Sequence, residues 1–203
     1  MPRALQRLPL RLLAAASLSL LLGHALADTP PTFTPDGYRA ALYRSPTPPQ
    51  VEGGKVIDTA ALQAMMRGHP APVLIDVYRR QWLHERFIED EPHANLPGSL
   101  WLPNTGDGVL SPDWQRYFEH HLRLATGGEP QYPVVFYCRA DCWLSWNAVK
   151  RAAHLGYTNL YWYRDGLDAW QQANLPVQAA ASSVSLTAPL PLRAQSFKQE
   201  QGE

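Results

Sequence analysis

The sequence has few cysteines, no excess of charge of either sign and no long apolar run. Two cysteines among 203 residues cannot build a disulfide framework, and alone they cannot fill a four-ligand zinc site. Lysine plus arginine equals aspartate plus glutamate at 18 each, which argues against binding nucleic acid through a basic surface. No run of 18 apolar residues occurs, which excludes a multi-span membrane protein. We therefore expect no metal, no cofactor and no nucleic-acid partner.

Hydrophobic residues make up 45% of the chain and aromatic residues 10%, which argues against a wholly disordered protein. The first 27 residues have the features of a signal peptide. Three arginines precede a short apolar stretch at 12–22, and Ala25-Leu26-Ala27 fits the small-x-small cleavage rule. We expect cleavage after Ala27, export to a bacterial periplasm and no membrane association of the mature protein. An uncleaved single-span anchor is the alternative.

Two segments flank the predicted domain. Residues 28–54 are rich in proline and end in Gly53-Gly54, which predicts an extended arm rather than a helix. Four apolar side chains could pin part of this arm to the domain: Phe33, Tyr38, Leu42 and Tyr43. Residues 178–203 show no sustained period and are rich in Ala, Ser, Pro and Gln, which predicts a flexible tail.

Residues 55–177 alternate between strand and helix patterns, which predicts one domain. The fold class that follows is α/β, with an open parallel sheet flanked by helices. The apolar run at 134–137 is the predicted centre of the sheet. The predicted strands are 55–57, 73–77, 100–102, 134–137 and 160–162, and the predicted helices are 59–67, 113–126, 144–155 and 167–173.

Both cysteines lie in one short segment after the central strand. Cys138 follows that strand directly, and a helix is predicted to begin about five residues later. Open α/β sheets place their sites at this strand end. Backbone amides and the helix dipole there would favour a reactive thiolate. Arg139 adds a cation and Asp141 opposes it, so a lowered pKa of the Cys138 thiol is a hypothesis.

The stretch from Cys138 to Trp143 resembles the active-site loop of rhodanese-like domains, in which a cysteine opens a six-residue loop between strand and helix. Three further segments resemble motifs of that family in the same order. They are Asp76-Val77; His93 with Leu96-Pro97-Gly98-Ser99 and Pro103; and Gly156-Tyr157 with Gly166, Ala169-Trp170 and Leu175-Pro176-Val177. The resemblance covers roughly residues 55–177.

The resemblance implies a rhodanese-like fold and sulfurtransferase chemistry. Cys138 and Cys142 would be the catalytic residues. The partner would be a small sulfur-containing donor or a thiol. The substrate-binding residues would be those of the loop and the start of the following helix: Arg139, Ala140, Asp141, Trp143 and Leu144.

A narrower resemblance is to the PQQ-dependent catabolism-associated CXXCW motif proteins. It is carried by the predicted export, by Cys142-Trp143 and by Ser145-Trp146-Asn147 and Tyr161-Trp162-Tyr163. The family name places two residues between the cysteines, whereas this chain has three. The resemblance implies a pathway context, a periplasmic quinoprotein dehydrogenase system, and it implies no reaction.

Asp141 stands where the ordinary rhodanese loop has glycine, and its charge would repel thiosulfate. Aspartate tolerates left-handed backbone better than most residues, so the loop can keep its curl. Three functions remain open. Cys138 carries sulfane sulfur as a persulfide; Cys138 and Cys142 form a dithiol–disulfide couple; or the domain is a non-catalytic binding or assembly module that uses exposed Trp143 and Trp146.

Overall fold

The computed structural model describes residues 31–84, 86–88 and 91–181. The predicted signal peptide and most of the predicted tail lie outside these residues. Within the described part of the chain, no helix is long and apolar enough to span a membrane.

Nine strands and four helices follow one another along the described chain. The helices are α1 (Thr59–Met66), α2 (Pro112–Ala125), α3 (Trp143–His154) and α4 (Gly166–Gln172). The strands of the main sheet are β1 (Gly54–Ile57), β2 (Val73–Asp76), β6 (Leu100–Trp101), β7 (Val134–Tyr137) and β8 (Leu160–Tyr163). Each predicted element is present, with ends shifted by one residue at most.

The helix ends follow from capping residues in the sequence. Asp58 accepts a hydrogen bond from the Ala61 amide at the start of α1. Ser111 caps α2 in the same way and is followed by Pro112, which needs no hydrogen-bond partner for its nitrogen. These caps set where the chain turns from loop into helix.

The main sheet is parallel throughout, in the order β1-β8-β7-β2-β6. The fold is therefore a single open parallel sheet flanked by helices, as predicted, with β7 at its centre. All four residues of β7 are buried, because helices cover both faces of the sheet.

Alternate residues of β7 face two separate cores. Val134, Phe136 and the following Cys138 belong to one apolar cluster, together with residues of α2 and α3. Val135 and Tyr137 belong to the other cluster, together with residues of α1 and α4. The side-chain alternation of a strand thus places Cys138 on the α3 side of the sheet and Tyr137 on the opposite side.

Two short strand pairs lie outside the main sheet and were not predicted. β3 (Trp82–Leu83) and β4 (Arg86–Phe87) form a hairpin. β5 (Ala94–Asn95) pairs with β9 (Gln178–Ala179), although the sequence placed Gln178 and Ala179 in the tail. A two-residue strand has too little periodicity to be recognised from sequence.

Residues 31–53 contain no helix and run along α3. Tyr38 is buried and Tyr43 packs against the α3-side core. Asn147 of α3 holds the arm at Arg39, because its side-chain amide accepts from the Arg39 amide and donates to the Arg39 carbonyl. Leu42, which was expected to help pin the arm to the domain, does not do so, since it is 70% exposed.

Candidate functional site

The candidate site is the loop between β7 and α3, which begins at Cys138 and ends at Trp143. Asp141 lies in the left-handed region of the backbone at φ 49°. Aspartate therefore takes the conformation that glycine would supply, as the sequence allowed.

Cys138 and Cys142 form a disulfide, with 6.2 Å between their Cα atoms. Each cysteine is only 1% exposed, and both belong to the α3-side core. The predicted reactive thiolate at Cys138 is therefore absent from this oxidised form, because a disulfide sulfur does not titrate. Closing the ring requires only the three intervening residues, one of which is the left-handed Asp141.

Two of the amides that the sequence suggested as donors to the Cys138 sulfur have other partners. The Ala140 amide donates to Asp168 Oδ2 at 2.9 Å, and the Trp143 amide donates to the carbonyl of Tyr43 at 2.9 Å. Two donors at the start of α3 and in the loop are thus satisfied by other oxygens. Stabilisation of a sulfur anion by these two amides would require both contacts to change.

The Arg139 side chain, which the resemblance assigns to substrate binding, is paired with Asp168. Its guanidinium donates from Nε and Nη2 to Asp168 Oδ1. Burial raises the pKa of Asp168, but hydrogen bonds from Arg139 and Ala140 outweigh burial and keep that pKa below its ordinary value of 3.8. Asp168 of α4 therefore holds both the side chain and the backbone of the loop.

Replacing Asp168 by asparagine is expected to lower the free energy of unfolding by about 1–2 kcal/mol at neutral pH. The expected loss is no larger because the Arg139 side chain is 43% exposed, and solvent weakens its attraction to Asp168. A carboxyl whose pKa falls on folding stabilises the protein above its unfolded pKa and loses this effect as pH falls through its folded pKa. Urea unfolding curves of Asp168→Asn and wild type should therefore begin to converge below about pH 4 and should meet below the folded pKa of Asp168. A difference that does not shrink as pH falls from 4 would contradict the role of the carboxylate.

The arm covers the loop, although the sequence gave no sign that the arm belongs to the site. Arg44 donates from Nη1 to the Ala140 carbonyl at 2.6 Å, and the Ser45 amide donates to the Asp141 carbonyl at 3.2 Å. The Thr47 amide donates to Asp141 Oδ1 at 3.3 Å. No motif marks these residues, because the contacts use mainly backbone atoms about 95 positions apart in the chain.

Trp143 lies beneath the arm and is 8% exposed. Its indole Nε1 donates to Ser45 Oγ at 3.0 Å, and Arg39 stacks on its ring at 4.7 Å. The expectation of an exposed Trp143 available to a partner is therefore wrong, because the arm occupies that face. Leu144 is also buried, in the core beside the cysteines.

A second polar cluster lies on the opposite side of the sheet. Asp76, at the end of β2, contacts His93 Nε2 at 2.8 Å and accepts from the Tyr78 amide at 2.8 Å. Burial raises the pKa of Asp76 although both hydrogen bonds oppose it. Asp76 thus organises the loop that follows β2 as a hydrogen-bond acceptor. Tyr137, the partner of Asp76 in the sheet register, lies on this same face.

The described residues contain no group of three or more His, Cys, Asp or Glu side chains that could hold a metal ion. One cavity of about 470 Å³ lies between the arm, the loop at 108–110 and α3; its lining includes Asp36, Tyr38, Arg151 and His154, and no cysteine.

Several proteins of known structure are similar to this chain. The chain is similar to a polysulfide-sulfur transferase from Wolinella succinogenes, with 16% identity over 62% of this chain and 79% of that chain, at a TM-score of 0.43. A thiosulfate sulfurtransferase from Pseudomonas aeruginosa gives 14% identity over 65% of this chain and 21% of that chain, at a TM-score of 0.47. The Alr3790 protein from Anabaena gives 18% identity over 60% of this chain and 79% of that chain, at a TM-score of 0.42. No curated protein matched the sequence.

The family comparison covers more than half of the chain. The sequence profile described as Rhodanese-like domain matches residues 58–173, a range that includes the main sheet from β2 to β8, helices α1 to α4 and the cysteine loop. Its bounds also agree with the parallel α/β core described above. The chain therefore belongs to the rhodanese-like domain family.

Proposed function

We propose that this protein transfers sulfane sulfur through Cys138 and that Cys142 resolves the resulting persulfide. The single observation that carries the proposal is the disulfide at the carboxyl end of the central strand, at the position where the family loop begins. Its two sulfur atoms are bonded to each other, so a persulfide on Cys138 would form within reach of Cys142. Membership of the rhodanese-like family supports the same chemistry.

The reaction begins from the reduced loop. The Cys138 thiolate attacks the outer sulfur of a sulfane donor, a Cys138–sulfur bond forms, and the rest of the donor leaves with the electron pair. With thiosulfate as the donor, the leaving group is sulfite. An acceptor thiolate can then attack the outer sulfur of the persulfide, which returns Cys138 to its thiolate form.

Resolution uses the second cysteine. The Cys142 thiolate attacks Sγ of Cys138, the bond between Sγ and the outer sulfur breaks, and hydrosulfide leaves with the electron pair. The product is the Cys138–Cys142 disulfide. Two electrons from an external dithiol are needed to restore the reduced loop.

The disulfide itself favours a second candidate function, a dithiol–disulfide redox protein that carries no sulfur. In that case the same pair would exchange electrons with a partner dithiol, and no persulfide would form. The third possibility is a non-catalytic binding or assembly module that uses Trp143 and Trp146. It loses support at Trp143, because that side chain is buried under the arm.

Replacing Cys142 by serine is expected to leave loading intact and to lower hydrosulfide release by at least about 100-fold, because the resolving nucleophile is lost. The reduced and desalted protein is incubated with thiosulfate, after which its intact mass and the released sulfide are measured. Cys142→Ser should accumulate the mass of one added sulfur atom. If neither wild type nor Cys142→Ser gains that mass with thiosulfate or with polysulfide, the redox function replaces sulfur transfer.

We also propose that the protein is exported to the periplasm and acts beside a quinoprotein alcohol dehydrogenase system, as a member of the CXXCW group. The support comes from the sequence: the signal-like first 27 residues and the Cys142-Trp143 pair. The mass of the protein recovered from a periplasmic fraction should correspond to cleavage after Ala27. Recovery of the uncleaved chain from membranes would contradict this location.

A further inference from the structure

The arm is paired with the cysteine loop as one strand is paired with another. Arg44 and Cys142 form an antiparallel bridge. It is flanked by the hydrogen bonds from the Trp143 amide to the Tyr43 carbonyl and from the Ser45 amide to the Asp141 carbonyl. Because both hydrogen bonds belong to the neighbouring residues, Arg44 and Cys142 are a non-hydrogen-bonded pair, the arrangement that brings opposing side chains closest together.

Most contacts of the arm with the loop use backbone atoms. Two flanking hydrogen bonds are between main chains, and the Arg44 side chain donates to a third carbonyl, that of Ala140. The Ser45 hydroxyl, which accepts from the Trp143 indole, could be supplied by other polar side chains. The loop edge therefore recognises an extended backbone more than a particular sequence, as β-strand addition does.

We propose that this edge of the loop is a docking site for an extended segment of a partner protein, whose cysteine takes the position of Arg44 and reduces the disulfide. The arm segment Tyr43–Ser45 fills the site when the partner is absent. The inference rests on the proposed function, because it identifies the chemical class of the partner that restores the reduced loop.

The partner's dithiol supplies the two electrons that reduce the Cys138–Cys142 disulfide. The partner's first thiolate attacks Sγ of Cys142, the Cys138–Cys142 bond breaks, and Cys138 leaves as a thiolate with the electron pair. The partner's second thiolate then attacks the partner's own sulfur in the mixed disulfide and releases the Cys142 thiolate. The partner is oxidised to a disulfide, and both loop cysteines are reduced.

Burial of the sulfur atoms favours a polypeptide over a free small thiol. Both cysteines are 1% exposed, and the covering arm must move before any thiol reaches them. An extended segment replaces the two main-chain hydrogen bonds that the arm gives up, whereas a small thiol leaves the Trp143 amide and the Asp141 carbonyl without them. Displacement by a peptide therefore costs less free energy than displacement by a small thiol.

The test uses two synthetic peptides on the full oxidised chain. One is the segment 41–47 carrying Arg44→Cys, and the other is the same segment carrying Tyr43→Cys, which moves the thiol by one residue to the other face of the strand. At equal thiolate concentration we expect the first peptide to form a mixed disulfide with Cys142 at least about 10-fold faster than the second or than free cysteine. Peptide mapping identifies the cysteine attacked.

A variant of the protein tests the competition by the arm. Ser45→Ala removes the acceptor of the Trp143 indole and is expected to speed the reaction with the first peptide about 3–5-fold, because the arm is displaced more easily. Equal rates for the two peptides, attachment to Cys138, or slower reaction in Ser45→Ala would each overturn the proposal.

An intramolecular version checks the register without any peptide. In the full chain carrying Arg44→Cys, the new thiol should bond Cys142 and leave Cys138 as the free thiol, whereas Leu42→Cys should leave the native disulfide intact. The opposite pattern overturns the docking geometry. These readouts involve no sulfur loading, so failure here is distinguishable from failure of thiosulfate to load the reduced protein.

Discussion

Replacing Cys138 by serine is expected to abolish persulfide formation, with at least about a 1,000-fold loss of thiosulfate-dependent thiocyanate production in the presence of cyanide. The reason is chemical: no other residue of the loop carries a sulfur at the end of the central strand, and a serine hydroxyl is not ionised at neutral pH. The measurements are the intact mass after thiosulfate loading and the thiocyanate released on cyanide treatment.

The Cys142→Ser protein is the matched control, because it lacks the same disulfide and differs from Cys138→Ser only in which sulfur remains. Thermal unfolding of the two variants should show similar losses of stability relative to the oxidised wild type. A Cys138→Ser protein that gains sulfur, together with a Cys142→Ser protein that does not, would exchange the roles proposed for the two cysteines.

Replacing Gly166 by alanine is expected to lower the free energy of unfolding by roughly 2–5 kcal/mol. Gly166 begins α4 with a φ of 57°, and a Cβ there would lie 2.8 Å from the carbonyl carbon of Cys138 and still closer to its oxygen. The Leu167 amide also donates to that carbonyl at 2.9 Å. Because the clash is with backbone, no side-chain rotation relieves it.

Gly127→Ala is the matched control, because it introduces the same unfavourable backbone conformation as Gly166→Ala without the steric clash. Gly127 has a similar φ of 63°, but nothing lies within 4 Å of a Cβ built on it, so its substitution should cost only about 1–2 kcal/mol. Urea unfolding of the two variants measures the difference. Equal losses would show that the Cys138 backbone gives way easily, and the cysteine loop would then be less firmly held by α4 than the structure indicates.

The fold could be predicted because the information was local. The buried strand from Val134 to Tyr137 is a continuous apolar run, and Asp58 and Ser111 cap the helices that follow them. Such patterns depend on neighbours within about four residues, which the sequence displays directly. The strands at 94–95 and 178–179 escaped prediction because two residues have no recognisable period.

The site could be predicted only in part. The sequence located Cys138 at the strand end and allowed a left-handed Asp141, both from the residue types themselves. It gave no sign that Asp168, which is 29 positions away, binds the Arg139 guanidinium. Trp143 was expected at the surface, because nothing in the residue type of Ser45 or Arg39 indicated that the arm lies over it.

By itself the sequence determined the family, the central strand and the two sulfur atoms, since these depend on apolar periodicity, caps and a cysteine spacing contained in a few residues. Only the tertiary structure decided that the arm pairs with Cys142, that Asp168 takes the Ala140 amide and that both sulfurs are buried. Those contacts join segments about 30 to 95 residues apart, and backbone hydrogen bonds between distant segments leave no distinctive mark on residue type.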